Sequence, residues 1–168
     1  MSVQLTHDEN RFTETNQEII LFTDGVNSPA NIGSLFRLAD AFGVKEVVFT
    51  GTKVDFNSSR LRKTARNTEK HICHRVITDI STEISKLKSS GFKLIGLEIT
   101  NTSKAIQNIR TSGEKVALFL GGEQHGLSQE CLEQMDEIYH IEMFGLNSSM
   151  NVTHAAAIGL FCLTANPS

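Results

Sequence analysis

The chain reads as an α/β domain built on a mainly parallel sheet with flanking helices. Two observations carry this. Short runs rich in Val, Ile, Leu and Phe recur at 19–23, 46–50, 71–77, 93–99, 116–120 and 137–143. Most are apolar nearly throughout, as strands buried on both faces are. Helical patterns separate several of them, at 31–42, 79–90, 128–135 and 151–164. Such alternation threads parallel strands through crossover helices.

The elements follow in order. In 31–42 the apolar residues Ile32, Leu35, Phe36, Ala39 and Phe42 share one face, and Gly43 supplies a stop. Pro29-Ala30-Asn31 gives a tight entry, with Asn31 as the expected N-cap. In 79–90, Ile80, Ile84 and Leu87 recur and Gly91 ends the helix; 128–135 reads as a short helix. The last helix follows Ser148, Ser149 and Asn151, which suit orphan amide groups, and carries Ala155, Ala156, Ala157 and Gly159. That small-residue face reads either as a buried core helix or as a tight helix–helix or subunit contact. With 168 residues and no low-complexity linker, one domain is expected over 18–168. Residues 1–17 read as an N-terminal extension, with Thr6-x-x-Glu9 matching a capping box for one turn.

Composition bounds the function. Hydrophobic content of 39% and charged content of 21% are those of a globular protein. No run of 18 apolar residues or secretory leader pattern is present, so a cytoplasmic, non-membrane protein is expected. Cys73, Cys131 and Cys162 are widely spaced and form no CxxC pair. His71, Cys73 and His74 stand too close together for paired metal ligands, so no metal is expected. A net charge of −3 argues against indiscriminate nucleic-acid binding. It conceals a basic run at 60–75, with Arg60, Arg62, Lys63, Arg66, Lys70 and Arg75 against Glu69. This is either a solvated face or a phosphate-contacting patch.

Three constellations carry chemistry. On a wheel of about 100° per residue, Arg37 points away from the apolar stripe of the first helix. Gly33, Ser34 and Ala41 are small neighbours on its polar side. A planar fork so placed suits a phosphate, or is simply solvated. Gly121-Gly122-Glu123-Gln124-His125-Gly126 follows the strand 116–120, as where backbone approaches a ligand closely. It lacks the spacing and position of a dinucleotide fingerprint. Ile141-Glu142-Met143-Phe144-Gly145 precedes Ser149-Met150-Asn151-Val152-Thr153 at the last helix.

At these residues, over about 19–163, the chain resembles the TrmH branch of the SPOUT family, the RNA ribose 2′-O-methyltransferases also called SpoU. Asn31 and Arg37 match the first motif of that family. Gly121, Glu123 and Gly126 match the second. Ile141, Met143, Gly145, Ser149, Asn151 and Val152 match the third. Glu142 stands where the family usually has proline, Met150 where it has leucine and Thr153 where it has serine.

The resemblance implies a C-terminal trefoil knot, a rare exception to unthreaded topology. It implies S-adenosylmethionine in a pocket of Leu97, Gly121, Gly122, Gly126, Ile141, Met143, Ser149 and Met150. It further implies a homodimer and a tRNA or rRNA substrate met by Arg60, Arg62, Lys63 and Arg66. As catalytic residues it implies Arg37 promoting deprotonation of the ribose hydroxyl, Asn31, Ser149 and Asn151 orienting, and Glu123 fixing the loop. A catalytically idle RNA-binding or assembly factor of the same fold, and methylation of a base nitrogen, are the competing readings. Retention of Arg37, Asn31, Ser149 and Asn151 disfavours the first, and the Asn31–Arg37 pairing disfavours the second.

Overall fold

The computed structural model describes residues 1–10, 15, 17–111 and 113–165. Its strands are β1 (Ile19–Asp24), β2 (Glu46–Thr50), β3 (Cys73–Val76), β4 (Phe92–Leu97), β5 (Lys104–Ala105), β6 (Lys115–Gly121) and β7 (Glu137–His140). They form one sheet in the order β3-β2-β1-β6-β4-β7-β5, with parallel pairing between neighbours. The helices are α1 (Pro29–Ala41), α2 (Ser59–Ala65), α3 (Ile80–Ser89), α4 (Gln129–Leu132) and α5 (Val152–Thr164).

The central strands feed a separate core on each face, which is why their sequences are apolar without alternation. Leu21, Phe49, Leu118 and Leu120 pack with Leu35 and Phe36 of α1, Leu61 of α2 and Leu160 of α5. Their neighbours Phe22, Val48, Leu94 and Phe119 pack with Ile84 and Leu87 of α3, and with Leu127 and Cys131. Phe22 and Phe119 are partners in the β1–β6 register and stack with ring centroids 4.3 Å apart. Burial of each such side chain contributes about 1.5–3 kcal/mol.

Several elements differ from expectation. Pro29 opens α1 and Ser28 is its N-cap, so Asn31 lies inside the first turn and does not cap. Proline at the first helical position is the reason, since its ring presets φ and it lacks the amide that needs no partner there. The expected strand 137–143 ends at His140, and Ile141 onward leaves the sheet. The helix expected at 128–135 is confined to Gln129–Leu132. Helix α2 and the two-residue β5 were not anticipated; α2 is capped by Ser58, whose hydroxyl accepts from Leu61 N. The Ala/Gly face of α5 is not free: Ala156 and Gly159 are buried in the chain's own core. A Cβ on Gly159 would stand 3.2 Å from both Leu118 Cδ2 and Leu97 Cδ2. The side of α5 left outward carries His154 and Phe161, the latter 61% exposed.

The expected extension 1–17 includes residues 11–14 and 16, which lie outside the described residues. Within its described part Thr6 donates from N and Oγ1 to Glu9 Oε2, each at 2.8 Å, around a single 3-10 turn, His7–Glu9. No helix among the described residues is long and apolar enough to cross a membrane.

The contact of α1 with α2 turns on Gly33. A Cβ there would fall 2.0 Å from Thr64 Oγ1 and 2.4 Å from the Leu61 carbonyl oxygen. The expected polar setting of Gly33 is thus corrected: it is buried under α2. Gly33→Ala is expected to lower stability in urea by about 1–2 kcal/mol, because overpacking against backbone exceeds the gain in helix propensity. A neutral or stabilising effect would contradict this packing.

From β3, Arg75 donates from Nε to Glu46 at the start of β2 at 2.6 Å and from Nη2 to Glu83 of α3 at 2.6 Å. The guanidinium holds the Glu83 carboxyl below its ordinary 4.5, against the opposing effect of burial. A carboxylate depressed in the folded state contributes stability above its unfolded pKa and loses it as pH falls through the folded value. Unfolding free energy is therefore expected to drop below about pH 4.5. Glu83→Gln should flatten that dependence, as denaturant titrations at several pH values would show.

Candidate active site

All strands run the same way, so the loops after β1, β4, β6 and β7 meet at one edge of the sheet, where parallel α/β folds place ligands. The loop after β6 is folded flat by glycines. Gly122 N donates to Asp24 O at 2.7 Å, and Gly126 N returns to Gly122 O at 2.9 Å. A Cβ on Gly121 would lie 2.0 Å from the Gly126 carbonyl carbon, and one on Gly122 2.5 Å from Gly25 O. Backbone therefore packs on backbone, and side chains are excluded by contact.

Three segments are joined at the rim. Asn31, released from capping, donates through Nδ2 to Glu123 Oε1. Asn151 Nδ2 donates to Asn31 Oδ1 at 3.1 Å. Asn151 also caps α5, its Oδ1 accepting from Thr153 N at 2.8 Å and Thr153 Oγ1 at 2.6 Å. The resulting chain Glu123–Asn31–Asn151 links β6, α1 and α5 across sequence separations of 92 and 120 residues.

Beneath it lies a cleft with an apolar floor of Leu97, Leu120, Ile141, Met143, Met150, Val152 and Ala155. Its rim is polar, with Glu98, Glu123, His140, Ser148 and Ser149. All eight residues expected to hold a cofactor, Leu97, Gly121, Gly122, Gly126, Ile141, Met143, Ser149 and Met150, line this cleft. Glu123 and Ser149 of the expected catalytic set also line it, and Asn31 and Asn151 attach through Glu123. Arg37 is exposed on α1 and is not among the lining residues. Within one chain the fold does not bring it to the cleft.

Arg60, Arg62, Lys63 and Arg66 are exposed on α2 and its C-cap. Arg62 is partly committed, donating to Asn57 Oδ1 at 2.7 Å and Phe56 O at 3.3 Å. Arg66 adopts φ +53°, sparsely populated for a residue with a side chain. Arg75 does not join this face, because Glu46 and Glu83 neutralise it. Glu142 accepts from Gln107 Nε2, so a side-chain bond to the turn Ile106–Asn108 tethers the loop where proline would have stiffened it.

Sequence reasoning missed Glu98 and His140 and gave Ser148 a capping role alone. His140 Nδ1 lies 3.0 Å from Ser103 Oγ. For Glu98 a signal existed: a carboxylate at the end of an otherwise apolar strand.

Residues 18–161 match the sequence profile described as the SpoU rRNA methylase family. The chain belongs to that family. It is 34% identical over 145 residues to the Bacillus subtilis 23S rRNA (guanosine(2553)-2′-O)-methyltransferase RlmP, covering 86% of this chain and 57% of that protein. Among solved structures it resembles the AdoMet-bound rRNA methyltransferase of Sinorhizobium meliloti, with TM-score 0.81, 23% identity and coverage of 92% and 60% of the two chains. It also resembles the A. aeolicus TrmH/SpoU tRNA modifying enzyme, with TM-score 0.78, 22% identity and coverage of 88% and 74%. Likenesses at this identity establish the fold. The chain spans between 11% and 65% of the length of curated relatives it matches, and 57% of RlmP.

Proposed function

We propose that this SpoU-family chain is an S-adenosylmethionine-dependent RNA methyltransferase acting on a ribose 2′-hydroxyl of tRNA or rRNA. The observation that carries the reading is the Glu123–Asn31–Asn151 chain, which ties three motifs into one rim over a cleft. The cleft suits the donor. Its apolar floor would accept the donor's adenine ring and aliphatic parts, and its glycine wall would offer backbone groups where any Cβ would collide. When bound, the donor supplies an electrophilic methyl group.

The chain's own residues must handle the nucleophile, a weakly acidic sugar hydroxyl, by alignment and by stabilising developing charge. Glu123 fixes Asn31, Asn31 fixes Asn151, and Ser149 stands beside them on the cleft wall. Arg37 grips the target phosphate and hydroxyl and promotes loss of the proton. Because Arg37 lies away from its own cleft, the reading includes a cytoplasmic homodimer in which a second copy brings the guanidinium to the site. The outward side of α5, with Phe161 and His154, is the contact it uses in place of the Ala/Gly face. The reading also includes the C-terminal knot. It is supported by β7 pairing beyond β4 while the chain returns through 141–150 to set α5 against β6.

Labelled methyl transfer to total RNA from cells lacking the protein, followed by mapping of the product, is expected to yield one 2′-O-methylated nucleotide. Arg37→Ala and Arg37→Lys should each lower turnover by at least about 100-fold while folding and donor binding persist. Near wild-type turnover in either would remove Arg37 from the mechanism.

The basic face of α2 sits on the helix that carries Asn31 and Arg37, so RNA held there has a fixed relation to the cleft. Reversing Lys63 and Arg66 to glutamate should weaken RNA binding and reduce the salt slope by roughly two, with donor affinity unchanged. An unaltered filter-binding titration would leave this face merely solvated.

A further inference from the structure

We propose that Glu98 is a positioning residue of the donor cleft, holding the glycine loop against the end of β4; this rests on the methyltransferase reading above. The sequence assigns Glu98 no role, and it belongs to none of the three motifs.

Glu98 follows β4 and continues its ladder, its N donating to Tyr139 O at 2.8 Å. The half-buried side chain folds back onto backbone amides. Oε1 accepts from Ile99 N at 2.9 Å, and Oε2 accepts from Leu127 N at 3.0 Å. The second bond joins the end of β4 to the end of the glycine loop, and Glu98 and Ile99 line the cleft together with Gly121, Gly122, Glu123 and Gly126.

Gly126 is fitted to this carboxylate. It has φ +65°, and a Cβ there would stand 2.3 Å from Glu98 Oε2. The carboxylate therefore occupies the volume that any side chain at 126 would need. Leu127 is buried in the core shared with Cys131, so its amide has little access to water. A charge-assisted bond satisfies that amide, and such bonds are stronger than neutral ones. The loop is thus pinned at both ends: Gly122 to Asp24 O at the start, Leu127 to Glu98 at the finish. Glu123, the first link of the catalytic chain, lies between the two pins. Glu98 acts on the site through this loop, setting the width of the cleft and the place from which Glu123 reaches Asn31.

The test uses the full chain and two readouts. Amide hydrogen exchange at Leu127 is followed by NMR without ligand, and binding of S-adenosylmethionine and S-adenosylhomocysteine is measured by calorimetry. In Glu98→Ala the Leu127 amide should exchange faster and donor affinity should fall by about tenfold or more. Glu98→Gln, isosteric and keeping one carbonyl acceptor, should fall between Glu98→Ala and wild type in both readouts. It carries the test if Glu98→Ala does not fold. Unchanged exchange at Leu127, or faster exchange with unchanged affinity, overturns the positioning role and leaves the methyltransferase reading standing. A wild-type chain that binds neither compound overturns that reading, and the proposal with it.

Discussion

The site depends on one constraint, the close approach of backbone to backbone at the carboxyl edge of the sheet. The segment 121–126 lies on the turn after β1 and folds back on itself, with virtual Cβ distances of 2.0 Å at Gly121 and 2.5 Å at Gly122. No side chain fits at either place. What the absent side chains release is a wall of amides and carbonyls facing an apolar floor. Such a surface can hold a mixed polar and apolar ligand by shape and hydrogen bonding with few charged groups.

A second consequence concerns how the rim residues are carried. Asn31 can bridge Glu123 and Asn151 because Pro29 and Ser28 have taken over the opening of α1. Asn151 can reach Asn31 because its other side-chain atom caps α5. Asn151 caps with its amide oxygen and links with its amide nitrogen, whereas Asn31 links at both ends of its amide. The Gly33 contact then fastens α2 to α1, and the exposed cations of α2 inherit a fixed distance from the rim. Asn31, Arg37 and the exposed cations of α2 thereby stand on one packed pair of helices.

Much of this was legible in the residues. Continuous apolar runs announced buried parallel strands, and the family resemblance carried by the Asn–Arg, glycine-loop and Ser–Asn motifs implied the cleft-lining residues. What escaped had physical causes. Helix α2 is short and buries only Leu61 and Ala65 in its seven residues, too few for periodicity to stand out from its cations. Strand β5 has two residues and is defined by its pairing with β7, a tertiary fact. The small residues of α5 left a buried core helix and an interface both open, because composition shows that something comes close, not that it is Leu97 and Leu118 of the same chain. Asn31 was assigned to capping because asparagine caps often, whereas proline two residues earlier had moved the helix start. Glu98 was passed over because one carboxylate in an apolar strand gives no spacing pattern to read.

A single structure bears most directly on these points: the full chain crystallised with S-adenosylhomocysteine. The account predicts the ligand between the glycine loop and the 141–150 segment, adenine on the apolar floor, with the Glu123–Asn31–Asn151 chain intact. It further predicts Arg37 of a second copy facing the sulfur. Ligand bound elsewhere on the sheet, or a cleft closed by its own side chains with Arg37 remote from it in every copy, would contradict the account.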